Sequence, residues 1–146
     1  MKQIIRLEFR VLLVSCFLLI ACNSDDNQLS QSICDFATII DNEKYNMTIT
    51  DNYSILETSI SDDCLNITLV SSGCDGNTWE VELVDAGRVA ETLIEQRDLK
   101  ISLRNAEICL AIVEKTYSFD LKLIRTNNNK VLINIEKWNE QILYEY

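Results

Sequence analysis

Leu65-Asn66-Ile67-Thr68-Leu69 alternates apolar and polar residues one by one. Successive side chains of a strand point to opposite faces, so this pattern makes one apolar face and one polar face. The same alternation recurs at residues 79–83, 99–103, 119–123 and 131–135. Each run reads as a half-buried strand. Residues 108–113 are apolar on both faces and read as a central strand. Weaker strands are expected at 45–49, 53–60 and 141–144. The helical candidate is 89–97, with Val89, Leu93 and Arg97 at helical spacing. It lacks a sound cap, and Thr92-Leu93-Ile94 reads equally as a crossing strand.

The turn signals agree. Ser71-Ser72-Gly73-Cys74-Asp75-Gly76-Asn77 separates two of the runs, and Asn127-Asn128-Asn129 separates two more. Asn and Gly tolerate the positive φ of tight hairpins, so 64–70 and 78–84 are expected to pair about Gly73 and Gly76. Eight or nine short strands at such intervals predict an all-β domain, an antiparallel β-sandwich or small barrel.

Composition removes several functions. Across 146 residues, 13 Lys and Arg face 23 Asp and Glu, a formal net charge of -10. A nucleic-acid partner needs a basic face, so none is expected. The chain has no histidine, which removes Ser-His-Asp and Cys-His catalysis and imidazole metal sites. With no proline and three glycines, it holds no Gly-rich phosphate loop. No cofactor is expected.

The N-terminus reads as an address. Lys2, Arg6 and Arg10 stand against Glu8, and residues 11–20 are almost continuously apolar. A basic stretch followed by about ten apolar residues matches a secretory signal peptide and is short of the roughly 20 that span a bilayer. Leu19-Ile20-Ala21-Cys22 resembles the bacterial lipobox. The resemblance implies lipidation of Cys22 and cleavage before it, which makes 1–21 the signal, 22–33 an acidic tether and 34–146 a single β-domain. Several acyl chains on one residue give stable anchoring. Asn23-Ser24-Asp25-Asp26-Asn27 is similar to the export signal of Bacteroidota lipoproteins, which implies an outer-membrane location facing the exterior. Loss of residues 1–21, with three bases and one acid, takes the charge from -10 to -12.

Setting aside Cys16 in the signal and Cys22 under lipid, Cys34, Cys64, Cys74 and Cys109 remain. An even count in an exported chain reads as two disulfides. A four-thiolate zinc site is the rival, but no C-x₂-C pair exists and no metal site is expected. If 64–70 and 78–84 form that hairpin, Cys74 sits at its turn and Cys64 at the far end of its strand, roughly 20 Å away at about 3.3 Å per residue, too far for a bridge. Two pairings remain. Cys109 follows the turn 105–107, which returns to the Cys74 end if residues 85–98 cross to the other sheet, so Cys34–Cys64 with Cys74–Cys109 is expected and Cys34–Cys74 with Cys64–Cys109 is the alternative.

Few residues offer chemistry. Asp62-Asp63 and Asp75-Gly76-Asn77 carry oxygen ligands that suit calcium, though turn chemistry accounts for both. Glu80 and Glu82 share a strand face and could mimic a glycosidase carboxylate pair; a solvated face is the simpler account. Trp79 belongs with Val81 and Leu83 in the core, whereas Trp138 lies in a polar loop and is the exposed-aromatic candidate. Asn46 and Asn66 begin glycosylation sequons, accidental in a bacterial chain.

The runs around Asp63-Cys64-Leu65-Asn66, Gly73-Cys74-Asp75-Gly76-Asn77, Glu107-Ile108-Cys109 and Ile142-Leu143-Tyr144-Glu145-Tyr146 resemble small, uncharacterised flavobacterial lipoproteins. The expected function is a non-enzymatic binding or envelope accessory role at the membrane, with a protein or glycan ligand. The alternative is inhibition of a host or competitor hydrolase such as lysozyme. Small disulfide-bonded lipoproteins of similar size act so, and acidic charge steers a basic enzyme. A small hydrolase is disfavoured because no nucleophile–base pair is visible.

Overall fold

The structure is a computed structural model that describes residues 33–146. The signal and Cys22 lie outside the described residues, as does all of the tether but Ile33. In chain order the elements are β1 (Phe36–Ala37), β2 (Ile39–Ile40), α1 (Asn42–Met47), β3 (Ser54–Ser61), β4 (Cys64–Gly73), β5 (Glu80–Ala90), β6 (Gln96–Arg104), β7 (Ala111–Asp120), a 3-10 turn (Lys122–Ile124), β8 (Lys130–Ile135) and β9 (Ile142–Glu145). The described residues are thus nearly all β, as the alternation predicts.

Two sheets face each other. The first has the order β1-β7-β4-β3 and the second β2-β5-β6-β8-β9. Their inner faces supply one core. Leu65, Ile67 and Leu69 of β4 meet Val81 and Leu83 of β5, Leu99, Ile101 and Leu103 of β6, and Val131, Ile133 and Ile135 of β8. These are the inward halves of the alternating runs, and burying each such side chain stabilises by about 1.5–3 kcal/mol. Phe119 and Tyr144 are also fully buried. The long pairings are antiparallel, but β1–β7, β2–β5 and β6–β8 are parallel. The sandwich is therefore mixed, because the chain repeatedly changes sheet between consecutive strands.

Several local expectations are corrected. Residues 64–70 and 78–84 do not form a hairpin: β4 lies between β3 and β7, and β5 belongs to the opposite sheet. The Gly73–Gly76 turn is a corner between layers. Residues 89–97 are not helical but span the end of β5, a tight connection and the start of β6, with Val89 paired to Arg97. The helix lies at 42–47 instead, where a weak strand was expected over 45–49; Asp41 caps it by accepting the Lys44 N–H at 2.9 Å, and such a cap overrides weak strand propensity. Residues 108–113 are not a central strand, since β7 begins at Ala111. The alternation at 119–123 breaks after Asp120, where the 3-10 turn leaves Leu123 exposed.

Candidate binding segment

The segment from Asn105 to Leu110 crosses from the second sheet to the first, and its alternate residues have opposite fates. On one side, Asn105 donates its side-chain amide to the Ser72 carbonyl at 2.7 Å and accepts the Glu107 N–H at 2.9 Å. Glu107 sends its carboxylate into the corner at 74–78. There Oε2 accepts the backbone N–H groups of Cys74, Asp75 (3.2 Å) and Gly76 (3.0 Å), and Oε1 accepts the Thr78 hydroxyl at 3.0 Å. Cys109 is bridged to Cys74, with Cα atoms 4.8 Å apart. Residues 105, 107 and 109 therefore fasten the segment to one corner.

The corner is shaped to receive a carboxylate. Gly76 has φ +68, a left-handed conformation that suits glycine. Successive N–H groups in such a turn converge on one concavity, which binds an anion. At Gly73 an added Cβ would lie 2.5 Å from Glu107 Oε2 and 3.3 Å from Trp79 Nε1, so glycine there leaves room for both the carboxylate and the indole. Burial alone would raise the Glu107 pKa; the N–H groups of Gly76 and Cys74 and the Thr78 hydroxyl and N–H outweigh it and bring the pKa down to about 2. Glu107 is thus a fixed anion at neutral pH, without the proton that a general acid must hold.

The other side of the segment is bare. Ile108 is 93% exposed, Leu110 89% and Ile112, already in β7, 74%. Contiguous exposed apolar side chains on a small protein mark an interaction surface. Here they project from a backbone held by a disulfide and several hydrogen bonds, so little ordering entropy remains to be lost on binding. The run 108–113 is visible in the sequence but reads as core. Glu107 was missed altogether: the signal available was an acid two residues before a cysteine, opposite a turn bearing two glycines.

The other candidate residues lie elsewhere. Cys34 is bridged to Cys64, with Cα atoms 5.5 Å apart. The strand-length argument holds because β4 itself separates Cys64 from Cys74, although the hairpin on which it was drawn is absent. Asp62-Asp63 and Asp75-Gly76-Asn77 sit at opposite ends of β4. The Asp63 carboxylate accepts the Tyr144 hydroxyl at 2.6 Å and an Arg125 N–H, and Asp75 caps Asn77. Glu80 is taken by Arg104 and Glu82 by Lys44 at 2.8 Å, so each carboxylate of this pair faces a cation. Trp79 is buried in the core, as expected. Trp138 is not an exposed platform; it is partly buried against the core, where a large ring closes the end of the sandwich. Among the described residues no helix is long and apolar enough to cross a membrane.

No protein-family model matches the chain, and no curated protein matches it in sequence. Two solved structures are similar in fold. A protein of unknown function, DUF1344, from Bacteroides vulgatus superposes with a TM-score of 0.51 at 14% identity, over 76% of this chain and 55% of that one. A provisionally named toxin-related protein from Parabacteroides distasonis gives a TM-score of 0.49 at 18% identity, over 76% and 59%. The chain therefore spans little more than half the length of these neighbours, and the first of them shares its β-sandwich fold.

Proposed function

We propose that the protein is a lipid-anchored, non-enzymatic binding or envelope accessory protein, tethered through Cys22 at the outer membrane and facing the exterior. The observation that carries the binding role is the bare row Ile108, Leu110 and Ile112 on a segment fastened at 105, 107 and 109. A surface made only for solubility would not expose three large aliphatic residues in register. The absence of histidine and the engagement of Glu80, Glu82 and Glu107 by cations or backbone amides support a role without catalysis. The test uses the full chain in its native membrane, with a photo-crosslinking residue at position 108 or, as a control, at Ser59. Partner adducts at 108 but not at 59 are expected; equal labelling at both would refute the assignment. Anchoring is tested separately. Cys22→Ser should release the protein from the membrane fraction, and unchanged fractionation would overturn it.

A second reading, inhibition of a hydrolase such as lysozyme, is favoured by one feature. A projecting, disulfide-held segment on a chain of net charge -10 suits insertion into the cleft of a basic enzyme. Titration of a basic lysozyme with the full chain at low and high salt decides it. Inhibition that Ile108→Ser abolishes would support this reading, and undiminished lysozyme activity would remove it.

A further inference from the structure

We infer that the partner adds a strand to the open edge of β7, and that one face of the added segment carries a cation and, two and four residues on, aliphatic side chains. This rests on the binding role proposed above and specifies how the partner docks.

The edge follows from the pairings. β7 is hydrogen-bonded to β4 along its whole length, from Gly73↔Ala111 to Cys64↔Asp120. On its other side β1 covers only Phe119 and Asp120. Asp35 ends that coverage, because its carboxylate accepts the Ser118 N–H at 3.0 Å. Ser118 therefore turns its N–H away from β4. The pleat repeats every two residues, so Thr116, Glu114 and Ile112 turn their N–H and C=O groups the same way. Among the described residues, none of these three has a backbone partner on that side.

Other exposed edges among the described residues are blunted by devices that oppose strand addition. Beyond Leu99, where β8 stops, the Ile101 and Leu103 carbonyls of β6 accept the Tyr53 hydroxyl and the Asn52 side-chain amide. β3 carries a register shift between Ile55 and Glu57. β9 has four residues. β5 is flanked by β2 and by α1, whose Lys44 reaches Glu82. β7 has no such device between Ala111 and Ser118. Its one cation, Lys115, bonds the Asn77 side chain at 2.6 Å and does not guard the edge.

The side chains beside this edge select the occupant. Thr116 and Thr68 share a hydrogen bond of 2.8 Å across the outer face, so Glu114 and Ile112 lie on that face too. Outward positions of β3, β4 and β7 carry Glu57, Glu114 and Asp120 and no Lys or Arg, and Asp120 lies at the end that β1 covers. An incoming strand would meet main-chain groups at 112, 114 and 116, an acid at 114 and the apolar row at 108, 110 and 112. Main-chain bonds supply affinity in strand addition, and alternate side chains supply specificity. Complementarity calls for Lys or Arg opposite Glu114 and for aliphatic residues opposite the row.

The test uses a synthetic Lys-Thr-Val-Thr-Val-Thr hexapeptide, whose Lys and two Val share one face, its counterpart N-methylated at alternate residues, and a Glu-Thr-Val-Thr-Val-Thr hexapeptide. The readout is amide hydrogen exchange and NMR shift mapping on the full chain. The Lys-Thr-Val-Thr-Val-Thr peptide should slow exchange at Ile112, Glu114 and Thr116 at least tenfold, and the other two should not. Thr116→Pro, which deletes one edge donor, should weaken binding; Glu114→Lys should do so in a chain with every donor kept. Equal binding of the N-methylated peptide would overturn strand addition. Slow exchange at all three amides before any peptide is added would show the edge already covered, by another part of the chain or a second copy, and would also overturn it. If crosslinking at 108 succeeds while the edge fails these tests, the binding role survives and this inference falls.

Discussion

The Glu107 carboxylate and the Gly76 N–H, 31 residues apart, meet at 3.0 Å beside the Cys74–Cys109 bridge. One covalent and several hydrogen-bonded links thus join the same two loops. The bridge limits how far the loops can separate, and the carboxylate sets how they are oriented.

The acid limb of stability should report this contact. Glu107 has its pKa lowered from 4.5 to about 2 in the fold. A lowered value means that the unfolded chain binds the proton more readily. The contribution is present above pH 4.5 and is lost as pH falls from about 4.5 towards 2. Denaturant titrations should therefore show a steeper loss of stability over that window for the wild type than for Glu107→Gln. Parallel curves would contradict the arrangement.

Removing the bridge should loosen the same corner without unfolding the domain. Cys74–Cys109 spans 35 residues, and chain entropy assigns a loop of that length about 4 kcal/mol, less any native strain. Cys74→Ser with Cys109→Ser should lower Tm by about 10–15 °C and speed amide exchange at 74–78, with the far-ultraviolet circular dichroism unchanged at 25 °C. An unaltered Tm would show that the bridge adds nothing beyond the Glu107 contacts.

Asp85 and Arg97 break the apolar pattern inside the second sheet. Both are buried, and the Arg97 guanidinium reaches the Asp85 carboxylate at only 3.4 Å. Asp85 Oδ2 and Arg97 Nε lack a partner among the described residues. Burial raises the Asp85 pKa against the Gly87 N–H and the Arg97 charge, with Asp98 adding to the rise. A raised value favours the folded state as pH falls, so Asp85 and Glu107 act in opposite senses on acidification. Asp85→Ala alone should cost about 3–5 kcal/mol because it strands a buried guanidinium, while the Asp85→Leu, Arg97→Leu pair should be neutral or stabilising by about 1–4 kcal/mol. Chemical denaturation of the two variants separates these outcomes; equal losses would mean that the pair is not the half-satisfied contact described.

The alternating runs were legible because one apolar face per strand is a local property. Leu65, Ile67 and Leu69 point inward whichever neighbours β4 takes. Which strands become neighbours is not local, so Gly73 to Asn77 reads as a hairpin turn although it is a corner between sheets. Residues 108–113 mislead for a related reason. Their hydrophobicity signals burial, but a short span between Arg104 of one sheet and Ala111 of the other leaves Ile108 and Leu110 outside. Strand length forbids Cys64–Cys74 in either topology but leaves two pairings. The choice between them was legible because Cys109 does return to the Cys74 end, although by the crossing at 105–110 and not at 85–98, where β5 and β6 share one sheet. Glu107 was not, because a carboxylate that binds backbone amides needs no particular partner residue, and only the fold brings the two loops together.

The exposed row should therefore be separable from stability. Ile108 and Leu110 rest on no core residue, and surface substitutions of this kind usually change stability by no more than about 0.5 kcal/mol. Ile108→Ser with Leu110→Ser should leave Tm and the chemical-denaturation midpoint nearly unchanged and raise solubility, since the contiguous apolar patch is lost. The same variant should abolish crosslinking from position 112, placed next to the altered residues. A large fall in Tm would mean that these side chains are buried in the protein as it exists in solution. The row would then be structural, and the binding surface would have to be sought elsewhere on the sandwich.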